Sequence, residues 1–197
     1  MLAPLPLLDW KAVFRKRAKA ARAKAAAAQP GAARFATAKL IEALSPEAGT
    51  AVAIYASIGD ELDTAPLAQA LAERGCAVLL PVVAAKDAPL AFRLFEVERG
   101  LIDGPHGTRH PPEDAPERRP DIVVVPLLAA RTADGARLGM GGGHYDRTLA
   151  ALRAEGEVIA VGFGYADQLI DRFPTGPHDQ HLDWFVSERG AVRFPAR

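Results

Sequence analysis

The run Arg137-Leu138-Gly139-Met140-Gly141-Gly142-Gly143-His144-Tyr145-Asp146-Arg147 concentrates the chemistry of this chain. Four glycines in five positions remove the Cβ atoms that would hold a ligand away from the backbone. The N–H groups of such a loop, followed by a helix N-terminus, offer oriented donors and a positive dipole end. The segment reads as a cradle for phosphate or another anion, or as a bare turn ahead of a helix; the flanking Arg137, Asp146 and Arg147 favour the cradle. No Gly-Lys-Ser/Thr closes it, so it is not a P-loop, and His144 stands where a dinucleotide-binding fingerprint needs glycine. Asp146, one turn into the helix, is either the carboxylate that Mg²⁺ needs beside a polyphosphate or a first-turn acid complementing the helix dipole.

Other groups fall into weaker patterns. Lys11, Arg15 and Arg22 share one helical face, as a row that reaches polyphosphate or as a solvated basic stripe. Glu61 follows an apolar strand directly, where ligands of open α/β sheets bind; it can accept hydrogen bonds from an amino-heterocycle or cap the next helix. His178 and His181, with Asp179 and Asp183 between and after them, form a weak transition-metal pattern. A lone carboxylate such as Asp183 assisting Mg²⁺ suits the spacing better. Cys76 is the only cysteine, so neither an intrachain disulfide nor a cysteine zinc cluster can form. No Ser-His-Asp or Cys-His pairing emerges from sequence order.

The elements that must position these groups alternate. Residues 9–28 form a basic, alanine-rich helix ended by Pro30-Gly31, and a second helix covers 32–44. Strands are expected at 50–57, 77–80, 90–95, 122–125, 158–163 and 184–187. Helices follow from Asp63 or Thr64 to Arg74 and from 143 to 154. Residues 100–120 form a long loop with five prolines. The alternation predicts an α/β fold, a three-layer α/β/α sandwich with a mostly parallel sheet, as one domain over 1–197. With 49% apolar residues, the chain can build its core without staples. Lys plus Arg and Asp plus Glu are both 24, and this zero net charge argues against a general nucleic-acid binder. No apolar run is long enough to span a membrane, the start of the chain lacks a basic signal-peptide region, and a reducing cytoplasm is the expected compartment.

Taken in order, these residues resemble a known family. They are Lys11 and Phe14-Arg15, then Tyr55 with Glu61-Leu62-Asp63-Thr64, Leu80-Pro81-Val82-Val83, and Asp121-Ile122-Val123-Val124-Val125-Pro126. The glycine-rich 137–147 segment, Gln168, Pro174, His178-Asp179 and Leu182-Asp183 complete the set. The pattern resembles the 5-formyltetrahydrofolate cyclo-ligase family, also called 5,10-methenyltetrahydrofolate synthetases. The resemblance implies cyclisation of 5-formyltetrahydrofolate to 5,10-methenyltetrahydrofolate with ATP and Mg²⁺, through a phosphorylated formyl group, with release of ADP and phosphate. It implies that Lys11, Ala12, Val13, Phe14 and Arg15 contact ATP, as do Arg137, Leu138, Gly139, Met140, Gly141, Gly142, Gly143, His144 and Tyr145. Ala56, Glu61, His144 and Tyr145 would meet the folate. Asp146 and Asp183 would hold the metal, and Asp146 with Arg147 would serve catalysis. It further implies a relation to the sugar-phosphate isomerase architecture and a monomer acting on small molecules. His144 departs from the aromatic residue common in the family, and 107–111 departs from its Gly-Ile-x-Glu-Pro. The competing expectations are a sugar-phosphate isomerase-like enzyme and a non-catalytic nucleotide-binding protein.

Overall fold

The structure, a computed structural model, describes residues 10–85, 87–96, 99–104 and 109–196. The expected helix start at residue 9, the segment before it, and Pro105, Gly107 and Thr108 of the long loop lie outside the described residues. Among the described residues, four α-helices and twelve strands follow in chain order: α1 (Trp10–Ala28), α2 (Ala32–Leu44), β1 (Ala51–Ala53), α3 (Ala65–Glu73), β2 (Ala77–Val82), β3 (Ala91–Leu94), β4 (Ile102–Asp103), β5 (Arg109–His110), β6 (Ile122–Val125), β7 (Ala129–Arg131), β8 (Arg137–Leu138), α4 (His144–Glu155), β9 (Ile159–Phe163), β10 (Leu169–Ile170), β11 (Trp184–Ser187) and β12 (Gly190–Arg193).

Seven strands form one sheet in the order β12-β11-β9-β6-β1-β2-β3. The five central strands are parallel, and β3 and β12 close the edges antiparallel. Counted along the chain, the parallel strands lie in the order 2-1-3-4-5. Strand order therefore reverses between β1 and β6, and a crevice opens beyond their carboxyl ends.

Period-two alternation divides the core. Val52, Val78, Leu80, Ile122, Val124, Val161 and Phe163 face Ala36 and Leu40 of α2 and Leu67 and Leu71 of α3. Ala51, Ala53, Leu79, Val123, Val125 and Ala160 face Leu149 and Leu152 of α4. The result is the expected three-layer sandwich. α1 takes a separate course: Phe14 and Ala18 pack on Leu128, Leu138 and Phe173, against a small sheet of order β10-β7-β8, and Ala25 returns to the main core.

The small sheet is the main departure from expectation. β7 and β8 are three and two residues long and carry Ala-Ala-Arg and Arg-Leu, too short and too poor in β-branched residues for a periodic signal. The strand expected at 50–57 ends at Ala53. Ile54 still donates to the Leu79 carbonyl at 2.9 Å, and beyond it the chain leaves the sheet to form the crevice wall. The last strand of the main sheet is β12, not 184–187, since a two-residue turn sends the chain back along β11.

Gly135, in the β7–β8 turn, has φ +70, and a Cβ there would sit 2.5 Å from the Phe194 ring and 2.6 Å from the Leu182 carbonyl. Gly135→Ala is therefore expected to destabilise the protein by about 3 kcal/mol through overpacking and left-handed strain. That corresponds to a melting temperature about 6–12 °C lower for a chain of this size. A change under about 2 °C in thermal unfolding would contradict the packing described.

Candidate active site

A cavity of about 820 Å³ occupies the crevice beyond β1, β2 and β6. One wall is the segment that β8 delivers into α4. Gly141 (φ +108) and Gly143 (φ +69) adopt left-handed conformations that let the loop turn sharply into the helix. No side chain caps α4, and Gly143 at the cap position has none to offer. The first N–H groups of α4 thus keep their capacity for an anion.

The charges on this wall are fixed by several elements. Arg137 is buried, with its guanidinium 3.0 Å from the Asp146 carboxylate and 5.8 Å over the Tyr145 ring. It donates to the Pro126 carbonyl at 3.4 Å, and its Nε finds no hydrogen-bond partner among the described residues. The other oxygen of Asp146 accepts the Gln180 backbone N–H at 3.0 Å. Arg147 folds back to donate to the Gly142 carbonyl at 2.9 Å. From α1, Arg15 donates to the Gly139 carbonyl at 3.2 Å, fastening helix to loop. Lys11, one turn earlier, pairs with Asp179 at 2.7 Å. Burial alone would raise the Asp179 pKa, but the Lys11 and Gly176 N–H bonds outweigh it and hold the carboxyl below the ordinary value.

The opposite wall comes from the end of β1. The Tyr55 hydroxyl, 3% exposed, is anchored on the Leu62 and Phe163 carbonyls at 2.8 and 3.2 Å. This holds the 55–62 segment against the sheet and turns Glu61 into the cavity. Burial pushes the Glu61 carboxyl above the usual Glu range, while its bond from the Ile58 N–H and the charge of Arg22 pull it back. Burial, then the charge of Glu61, also raises the Tyr145 hydroxyl, keeping it a protonated donor. Six cations (Lys11, Arg15, Arg22, Arg109, Arg137, Arg147) against three carboxylates (Glu61, Asp146, Asp179) line the described cavity. That excess suits a ligand with several negative charges.

Among the residues singled out in the sequence, Lys11, Arg15, Ala56, Glu61 and the whole run from Arg137 to Arg147 meet around this one cavity. Ala12, Val13 and Phe14 do not line it; Phe14 packs under the small sheet. Asp183 also lies elsewhere. Its carboxylate accepts the Ala160 N–H at 2.7 Å and pairs with Arg153 at 3.0 Å. Arg153 is seven residues past Asp146 on α4, about 10 Å along the helix, and of the two carboxylates only Asp146 lines the cavity. The 178–183 stretch is likewise dispersed: Asp179 goes to Lys11, and the His181 ring to the Asp134 carbonyl at 3.1 Å. No cluster of three potential metal ligands occurs among the described residues. Arg22 faces Glu61 and not the glycine loop, a role the basic stripe gave no means of telling. Tyr55, Asp179 and Gln180 enter through contacts between distant segments.

The family whose sequence profile matches is the 5-formyltetrahydrofolate cyclo-ligase family, over residues 8–188. The chain is 39% identical to the 5-formyltetrahydrofolate cyclo-ligase of Mycolicibacterium smegmatis, over 73% of this chain and 77% of the relative. It is 34% identical to the Escherichia coli K12 protein of the same name, over 69% and 76%. In fold it is similar to the NMR structure of Aquifex aeolicus 5,10-methenyltetrahydrofolate synthetase, with a TM-score of 0.72, 23% identity, and 95% and 94% of the two chains covered. It is also similar to the Mycoplasma pneumoniae 5,10-methenyltetrahydrofolate synthetase, with a TM-score of 0.68, 20% identity, and 90% and 98% covered.

Proposed function

The chain belongs to the 5-formyltetrahydrofolate cyclo-ligase family, and from that premise we propose how its cavity closes 5-formyltetrahydrofolate to the 5,10-methenyl form at the expense of ATP. The N5-formyl oxygen is a poor leaving group. Transfer of the terminal phosphoryl group to that oxygen releases ADP and leaves an imidate phosphate, whose carbon the N10 amine attacks. Expulsion of phosphate then completes the methenyl bridge. No protein nucleophile is needed, so the residues align two substrates and neutralise phosphoryl charge.

The observation that carries this reading is the pairing of a glycine-rich anion cradle with a partly buried carboxylate, facing each other across the crevice where strand order reverses. The loop N–H groups and the start of α4 receive the phosphates, with Lys11, Arg15, Arg137 and Arg147 around them. Lys11 must exchange Asp179 for phosphate to take part. Glu61, with Ala56 beside it, accepts N–H groups of the pterin, and the protonated Tyr145 hydroxyl offers a donor between the two substrates. Mg²⁺ takes few protein ligands, and Asp146, at the cradle and on the cavity, is the carboxylate that fits it; when bound, the ion offsets phosphoryl charge. Asp183, which does not line the cavity, is left to a structural role.

Two outcomes test the reading. MgATP and 5-formyltetrahydrofolate should each raise the melting temperature, whereas sugar phosphates should not; the reverse pattern would favour an isomerase. Glu61→Gln is expected to raise the KM for the folate about 10-fold or more while leaving the KM for ATP within about twofold, through loss of a charge-assisted hydrogen bond. Equal changes in both constants would make Glu61 a general structural residue.

A further inference from the structure

We infer that Arg22 of α1 is the positioning residue that holds the Glu61 carboxylate oriented toward the folate. The inference rests on the proposed folate role of Glu61. Arg22 sits eleven residues after Lys11 and seven after Arg15 on the same helix, about 16 and 10 Å along its axis. That distance carries the row across the cavity, from the glycine loop to the opposite wall. The Arg22 side chain is 5% exposed. Its guanidinium spreads over three acceptors: Asp60 at 2.6 Å, Glu61 at 3.4 Å and the Leu127 carbonyl at 3.4 Å. Its Nε has no hydrogen-bond partner among the described residues.

A cation so enclosed is retained only where its partners repay the desolvation. Asp60 gives the short contact that fixes the guanidinium. Leu127, just past β6, ties it to the far side of the strand reversal. Glu61 shares the other terminal nitrogen with the Leu127 carbonyl through one oxygen, while its second oxygen accepts the Ile58 N–H at 3.0 Å. Both oxygens are thereby oriented by donors on the protein side, and the remaining lone pairs face the cavity.

Among the described residues, the charged and titratable groups that act most on Glu61 are Arg22 from α1, Asp60 from its own turn, Tyr55 from the end of β1 and Tyr145 from α4. Arg22 is the one cation among them. Its removal leaves only the Ile58 N–H bond against burial and the Asp60 charge, so the balance moves toward the protonated acid, and a protonated Glu61 cannot accept from the pterin on both oxygens. The acidic limb of the profile of kcat/KM for the folate must then move to higher pH.

The test uses steady-state kinetics on Arg22→Met and Arg22→Lys. For Arg22→Met the KM for 5-formyltetrahydrofolate is expected to rise about 10-fold or more, with the KM for ATP nearly unchanged and the acidic limb shifted up in pH. Arg22→Lys keeps the charge and should hold the limb near its wild-type position, with a smaller rise in KM because the planar fork is lost. If Arg22→Met does not fold, Arg22→Met/Glu61→Gln, which removes the orphaned acid, replaces it; its folate KM should then match that of Glu61→Gln alone. An unshifted limb in Arg22→Met, equal changes in both KM values, or a double variant much worse than Glu61→Gln would overturn the assignment and leave Arg22 as packing. A wild-type protein that shows no turnover of the folate fails the proposed function instead, so the two failures are distinguishable.

Discussion

Asp146→Asn is expected to lower turnover about 10²–10³-fold while the chain still folds, at reduced stability because the buried Arg137 loses its charged partner. A charge placed where phosphoryl charge develops is worth that much when it is removed. The amide keeps an oxygen for the Gln180 N–H, which Asp146 accepts at 3.0 Å, so the junction between α4 and the 174–180 loop survives. Both changes leave Arg137 without its carboxylate; Asp146→Ala should cut turnover as deeply and also release that loop. Stopped assays at saturating MgATP and folate, alongside melting temperatures, separate the two effects. Turnover near wild type in Asp146→Asn would remove the Asp146 charge from the mechanism.

Arg137→Ala should be the most destabilising change at the site. The guanidinium is buried, pairs with Asp146 at 3.0 Å, and covers Tyr145. Its removal strands a carboxylate of which only 21% of the side chain reaches solvent. Breaking a pair of this kind costs about 3 kcal/mol, at the lower end of the buried range because Asp146 keeps some water, or roughly 6–12 °C in melting temperature. The KM for ATP should rise with it. Arg137→Lys restores the charge without the planar fork or the stacking, so it should recover part of the stability and less of the ATP affinity. Wild-type stability in Arg137→Ala would show that the ion pair contributes no net stabilisation.

The glycine-rich segment was legible because its chemistry is contiguous: Arg137 through Arg147 supply the loop, the helix start and the carboxylate within one short stretch. The parallel core was legible too, since Ile122–Val125 and Ile159–Phe163 are apolar runs bounded by turn residues. The small sheet was not, because Ala129–Arg131 and Arg137–Leu138 owe their pairing to tertiary contacts and to α1 lying across them. Arg22 shares a helical face with Lys11 and Arg15, but that spacing does not tell which wall it meets. Periodicity fixes which residues share a face, whereas the bend of the chain after Ala53 decides which one meets Glu61. Asp183 illustrates the opposite difficulty. It matches a family position by order, yet its carboxylate meets the Ala160 N–H and Arg153 and does not line the cavity that holds Asp146.

The most direct measurement mixes the purified protein with 5-formyltetrahydrofolate and MgATP and follows the absorption band of the methenyl product. The account predicts a rise that requires all three components and that falls about 10²–10³-fold in rate with Asp146→Asn. ATP binding by calorimetry with no rise in absorption would contradict it; the phosphate cradle would stand, and the acceptor would be another molecule.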